Sequence, residues 1–184
     1  MVEQPVDSRG TPRRLYEGRY AVSSGSWSPD DSLLAFSEFP NIVILDADGK
    51  PAAEPFPGFM PDWSPDGKWL AYNSAQAGVY ETIVRSWPDG ARAFSVQTKG
   101  GIENLWAANG ELFWRLGDRW YVVQTTTGDD FTWTEPELAF EIEFLDTPGR
   151  SYVVTSDGQR LYTIVQAEAD IEDRIHVISG LVGR

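Results

Sequence analysis

Short apolar runs recur along the chain between turn signals, and a sustained helical stripe is absent. Leu33-Leu34-Ala35-Phe36, Trp69-Leu70-Ala71-Tyr72, Leu112-Phe113-Trp114 and Leu161-Tyr162-Thr163-Ile164-Val165 are rich in aromatic and branched side chains. Runs this short, bounded by turn residues, read as strands. Each follows a copy of one turn. Trp27-Ser28-Pro29-Asp30-Asp31 and Trp63-Ser64-Pro65-Asp66-Gly67 are full copies; Trp106-Ala107-Ala108-Asn109-Gly110 and Val154-Thr155-Ser156-Asp157-Gly158 are degraded ones. Their intervals are 36, 43 and 48 residues, the period of a propeller blade or a solenoid repeat. Proline presets φ at the turn, and Gly67, Gly110 and Gly158 are expected to supply its positive φ.

The pattern inside each unit chooses between the two. Third strands are predicted at 42–45, 82–84, 120–123 and 174–178, and fourth strands at 91–97 and 137–144. The first unit's fourth strand, 51–56, carries prolines and is confined to a sheet edge. Four strands per repeat predict an all-β propeller, or partial propeller, of about four antiparallel blades. The expected blades are 19–57, 58–98, 99–146 and 147–181, within a domain spanning 12–181 and after a flexible segment 1–11. The last unit supplies three strands, and 13–17 is a strand with no blade before it. The two are expected to pair and close the ring; the alternative is a leftover strand on a fragment of a longer propeller. Residues 167–173 come nearest to a helix but read better as a polar loop.

Composition narrows the function classes. The formal net charge is −13 and cysteine is absent. So acidic a chain repels phosphate backbones, which argues against nucleic-acid binding, and thiol chemistry is excluded. Neither a secretory signal nor a membrane span is visible, so no membrane insertion is expected of this chain. The single histidine, His176, has no G-x-S-x-G partner motif and is not expected to be catalytic. Asp46-Ala47-Asp48-Gly49 lacks the remaining ligands of a calcium loop and reads as a hairpin turn. Asp129-Asp130, and Glu141 with Glu143, are the nearest approach to paired glycosidase carboxylates, with nothing to make them converge.

The turn residues Trp27, Pro29, Asp30, Trp63, Pro65, Asp66, Gly67, Trp106, Asn109, Gly110, Asp157 and Gly158 are therefore assigned to the repeat's structure. Trp27, Trp63 and Trp106 are expected to be buried between neighbouring blades. The aromatics outside the repeat positions, Trp87, Trp114, Trp120 and Trp133, are the more interesting. Trp87 and Trp133 are candidates for a binding surface. Trp133 lies in a long insertion, 125–135, where an exposed indole serves either as an anchor or as a lid over a blade edge.

The Trp-Ser-Pro-Asp-Gly unit of residues 63–67, followed by Trp69, Leu70, Ala71 and Tyr72, resembles the WD-repeat-like β-propeller of the TolB type. Residues 73–85, the Gly100-Gly101-Ile102-Glu103 lead-in and the stretch 149–161 carry further resemblance. This variant is similar to the C-terminal propellers of bacterial serine/threonine kinases and related regulators. The resemblance implies a non-enzymatic scaffold for protein or ligand recognition, with no catalytic, cofactor or metal residues to carry over. It also implies an extracytoplasmic location if the parent is membrane-anchored. Those propellers usually have six or more blades, and no kinase motif occurs here. The rivals are a truncated propeller without independent function, a propeller hydrolase with a tunnel site, and an open ring that forms a homo-oligomer through its edges.

Overall fold

A computed structural model describes residues 1–3, 11–75, 78–145, 149–165 and 176–179. The short strands β1 (Val2–Glu3) and β2 (Arg13–Arg14) precede the blades. The first blade is β3 (Val22–Trp27), β4 (Leu33–Glu38), β5 (Asn41–Asp46) and β6 (Phe56–Pro57). The second is β7 (Phe59–Trp63), β8 (Trp69–Ser74), β9 (Glu81–Ser86) and β10 (Ala93–Gln97). In the third, β11 (Ile102–Trp106), β12 (Glu111–Leu116) and β13 (Arg119–Thr126) are followed by β14 (Thr132–Trp133) and β15 (Glu137–Glu141), which both pair with β13. The fourth is β16 (Tyr152–Val154), β17 (Arg160–Thr163) and β18 (His176–Ser179). Every pairing is antiparallel, and the described residues contain no α-helix. The expected fourth strand at 51–56 shrinks to Phe56–Pro57 and a bridge between Leu45 and Pro51, because proline has no N–H to donate to a ladder.

The repeated turn is built from its polar side chains. Ser64 Oγ donates to Asp66 Oδ1 (2.7 Å) and accepts from the Trp69 amide (3.0 Å), tying the turn to the strand it opens. Ser28 with Asp30 and Thr155 with Asp157 repeat the arrangement. Gly67, Gly110 and Gly158 have φ of 71°, 86° and 69°. Asp31 takes that place in the first copy, at φ 57°.

Blades stack face to face with a large-on-small alternation. Trp63 and Leu70 of the second blade share a core with Ala35, Ile42 and Ile44 of the first. Trp106 shares the next with Trp69, Ala71 and Val84. Thus Trp63 and Trp106 each pack on the preceding blade, where the facing position of the second strand is alanine. At the third seam the sizes invert: Phe113 is the second-strand residue, and Val154 and Tyr152 come from the fourth blade.

Trp27 corrects the sequence expectation, for it is 45% exposed whereas Trp63 and Trp106 are buried. It pairs across the ladder with Leu34, as Trp63 does with Leu70, so it faces the side on which a preceding blade would lie. The chain's first residues cover that side instead. Met1, Tyr16 and Val22 pack on Leu34, Phe36, Val43 and Leu45, and the Tyr16 ring meets Phe36 edge-on at 5.1 Å. The Tyr16 hydroxyl donates to Glu38 Oε2 (2.6 Å). That bond pushes the tyrosine up to about 12 and holds the Glu38 carboxyl below its ordinary value.

The strand expected to close the ring pairs elsewhere among the described residues. Arg13–Arg14 pairs with Val2–Glu3, within the segment expected to be flexible, and not with the last strand. The Leu15 amide donates to the Met1 carbonyl, and the Met1 ammonium to the Tyr16 carbonyl at 2.6 Å. Of the expected partner 174–178, positions 174–175 lie outside the described residues, and β18 pairs with β17. The fourth blade's outward side bears Val153 (58% exposed) and Ile164 (56% exposed), and strand alternation puts Tyr162 there as well.

Two expectations follow. Replacing Gly67 with valine forces a β-branched residue to φ 71° and costs roughly 1 kcal/mol or more; unchanged urea unfolding would refute the turn geometry. Trp63→Ala costs about 3–5 kcal/mol as a core truncation, whereas Trp27→Ala costs no more than about 1–2 kcal/mol, since much of its ring stays in water. Equal losses at the two positions would contradict the packing described.

Candidate functional site

Two features stand out above the repeat: a buried polar seam on the inner strands, and an aromatic cavity at the outer part of the second seam. The seam centres on Glu103, fully buried at a bulge of β11 with φ 63°. Its carboxylate accepts from Arg115 Nε (2.8 Å) and Nη2 (2.5 Å), and from the Ser151 amide (2.8 Å) and hydroxyl (2.6 Å). The Tyr152 hydroxyl donates to the Glu103 carbonyl (2.6 Å), and the Glu103 amide donates to Asn73 Oδ1 (3.0 Å). Second, third and fourth blades thus meet at one residue. Beside it, Asp62 Oδ2 accepts the Trp106 amide (2.7 Å), and Asp62 Oδ1 lies 3.8 Å from Arg150. Burial pushes the Asp62 carboxyl up, and the Arg150 guanidinium partly offsets this. Asn104 is fully buried, and its side-chain amide has no hydrogen-bond partner among the described residues.

The cavity, about 390 Å³, lies where the end of β10 meets the third blade; Lys99, Trp114, Leu116, Tyr121, Trp133 and Glu135 are among the residues that line it. Trp114 is buried and stacks on Tyr121 with centroids 6.1 Å apart. Trp133 is 37% exposed. The insertion that carries Trp133 is strapped across the seam. Its Phe131 is buried against Trp69 (5.3 Å) and Phe94 (5.7 Å), and Trp133 stacks on Phe131 at 5.5 Å. Trp69 Nε1 donates to the Gly128 carbonyl (3.1 Å); Lys68 pairs with Asp129 (2.9 Å) and Arg92 with Asp130 (3.0 Å). One wall of the cavity is therefore held by the second blade and built by the third.

The residues singled out by sequence fall into distinct places. Trp87 is half-buried and meets Trp63 edge-on at 5.3 Å, in the core between the first two blades. Trp120 is fully buried and stacks on Phe140 at 4.7 Å. Trp133 and Trp114 line the cavity. Asp129, Asp130 and Glu141 each pair with a different cation, the last with Arg119 (3.0 Å). Asp46 caps its own hairpin through the Asp48 and Lys50 amides (2.9 and 2.8 Å). His176 opens β18 opposite Thr163. Among the described residues no three His, Cys, Asp or Glu are placed to hold a metal ion, and no helix is long and apolar enough to cross a membrane. Sequence reasoning missed Glu103 and its partners. The available signal was a carboxylate just after the Gly100-Gly101 lead-in, with an arginine twelve residues on in the same hairpin.

These antiparallel sheets define an all-β propeller fold of the TolB type. The structure is similar to TolB from Acinetobacter baumannii, with TM-score 0.64 and 16% identity over 97% of this chain and 45% of that one. It is similar to the putative TolB from Agrobacterium tumefaciens, with TM-score 0.54 and 19% identity over 73% and 54%. The dihydro-heme d1 dehydrogenase NirN, solved in complex with DHE, matches with TM-score 0.58 and 17% identity over 82% and 34%. The chain thus spans about half the length, or less, of these solved structures. No family model and no curated protein matches the sequence.

The polar seam makes a stability prediction. Glu103→Gln removes the countercharge of a buried guanidinium and costs about 3–5 kcal/mol, read by urea unfolding. A loss below about 1 kcal/mol would show that this network does not join the blades.

Proposed function

We propose that the chain is a non-enzymatic recognition module, a sensory or interaction propeller of a larger bacterial protein, and that it binds a small ligand in the aromatic cavity. The observation that carries this reading is the presentation of Trp133. A propeller seam needs no extra segment to seal it, yet the third blade inserts one and leaves its indole 37% exposed beside Trp114 and Tyr121. Concave sites with aromatic walls and a few polar groups are where small ligands bind.

The rival, a hydrolase working on the inner strands, has one observation on its side. The unpartnered amide of Asn104 lies next to Arg150, which donates from Nη2 to the Asn104 carbonyl (2.9 Å). Asp62, 3.8 Å from that arginine, already accepts the Trp106 amide.

A panel of small aromatic, zwitterionic and saccharide compounds tests the cavity, with the Trp133 indole N–H resonance as readout. At least one class is expected to shift that signal. Trp133→Ala should abolish the binding, and His176→Ala should leave it intact. If no compound moves the Trp133 signal, the cavity reading fails. If the protein turns over ester, lactone or glycoside substrates and Asp62→Asn stops it, the enzymatic reading replaces this one.

A further inference from the structure

Aromatic faces in this protein are repeatedly matched with cations. Arg85 lies over the Phe56 ring at 4.5 Å, Arg92 over Trp69 at 4.8 Å and Arg115 over Phe144 at 4.5 Å. The ring face carries the negative lobe of the aromatic quadrupole, and a cation within about 6 Å of the centroid is drawn to it. Among the described residues no guanidinium or ammonium lies over Trp114, Tyr121 or Trp133. Arg119 reaches Tyr121, but at its hydroxyl. Those three rings line the cavity and have no protein cation over them, so their interaction with a positive charge is available to a ligand.

Two charged side chains also border that cavity, Lys99 and Glu135, and neither side chain makes an ion pair or hydrogen bond among the described residues. This contrasts with the nearby Lys68, Arg92 and Arg119, which all have carboxylate partners. A carboxylate beside aromatic rings suits an organic ammonium, and the formal charge of −13 raises the local concentration of cations. The ammonium of Lys99 would repel a simple cation but would attract an anionic group on the same molecule.

We infer that the cavity takes a small zwitterion, a methylated ammonium carrying a carboxylate. The ammonium sits against Trp133 and Tyr121 with Glu135 as countercharge, and the carboxylate turns toward Lys99. Methylation matters because methyl groups spread the positive charge over a surface that loses little hydration on entering an aromatic site. This assignment rests on the cavity being the ligand site.

Three probes separate its parts, each followed by the Trp133 indole resonance. Glycine betaine carries both charges. Tetramethylammonium lacks the carboxylate. The tert-butylacetate ion has the shape of betaine with a neutral carbon in place of the nitrogen. Betaine is expected to bind most tightly, with tert-butylacetate weaker by about fivefold or more, the value of a moderate cation–π contact. Glu135→Gln should weaken betaine and tetramethylammonium by about threefold to tenfold each. Lys99→Gln should weaken betaine but not tetramethylammonium. Both substitutions lie on the surface, so they test the site even if Trp133→Ala disturbs the insertion. Equal affinity for betaine and tert-butylacetate would overturn the charge recognition. If saccharides or neutral aromatics shift Trp133 and betaine does not, the ammonium assignment falls and the cavity reading stands. If nothing shifts it, both fall.

Discussion

A propeller blade is a sheet with two apolar faces, and neither face can be left to water. This constraint governs most of what the chain does. In a sandwich each sheet hides one face and wets the other; here β4, β8 and β12 are buried along nearly their whole length. A blade is therefore stable only between neighbours, as in other repeat architectures. The alternation of Trp63 with Ala35, and of Trp106 with Ala71, is how two blades of similar sequence fit each other closely. The ends of the arc then pose the problem. Met1 and Tyr16 fold back to cover the first blade's outer face, at the cost of leaving Trp27 partly wet.

Apolar stacking alone does not fix how far one blade slides past the next. The Glu103 seam supplies that register. A carboxylate held by a guanidinium on its own blade and by an amide and hydroxyl on the next has one satisfactory position. Any slip strands a buried charge, and that penalty exceeds what a small shift of apolar side chains costs. Asp62 does the same work one seam earlier by accepting the Trp106 amide. The raised pKa of Asp62 is the mark of this use: burial strains the charged form, and the structure keeps the residue for its geometry.

How much of this was legible follows from what kind of signal each feature leaves. The turns were readable because proline, aspartate and glycine at fixed offsets constrain a single chain locally. Trp63 and Trp106 were readable as core by repetition. Trp27 was misjudged by the same logic, since its burial depends on a neighbour that a repeat position does not guarantee. The first blade's fourth strand and the pairing of Arg13–Arg14 turned on competition between edges, which local pattern cannot rank. Trp114 and Trp120 stood out in sequence as off-register and proved to be core, while Trp133 stood out and lies at the cavity. The Glu103 network left almost no trace, because its members are scattered singly over three blades. Only the folded register brings them together.

The cavity and the second seam are not independent. The insertion that presents Trp133 also plugs the seam with Phe131 and clamps it through Lys68, Arg92 and the Trp69 indole. Any ligand that rests on Trp133 therefore loads a segment that spans two blades. Binding to the folded arrangement alone stabilises it by RT ln(1 + [L]/Kd), about 2.7 kcal/mol at a hundredfold excess over Kd. In an arc of blades that energy acts at the joint, not on the whole chain at once, because each blade answers only to its neighbours. A ligand in the cavity would thus tighten the second blade against the third and leave the contact of Tyr16 with Glu38 untouched.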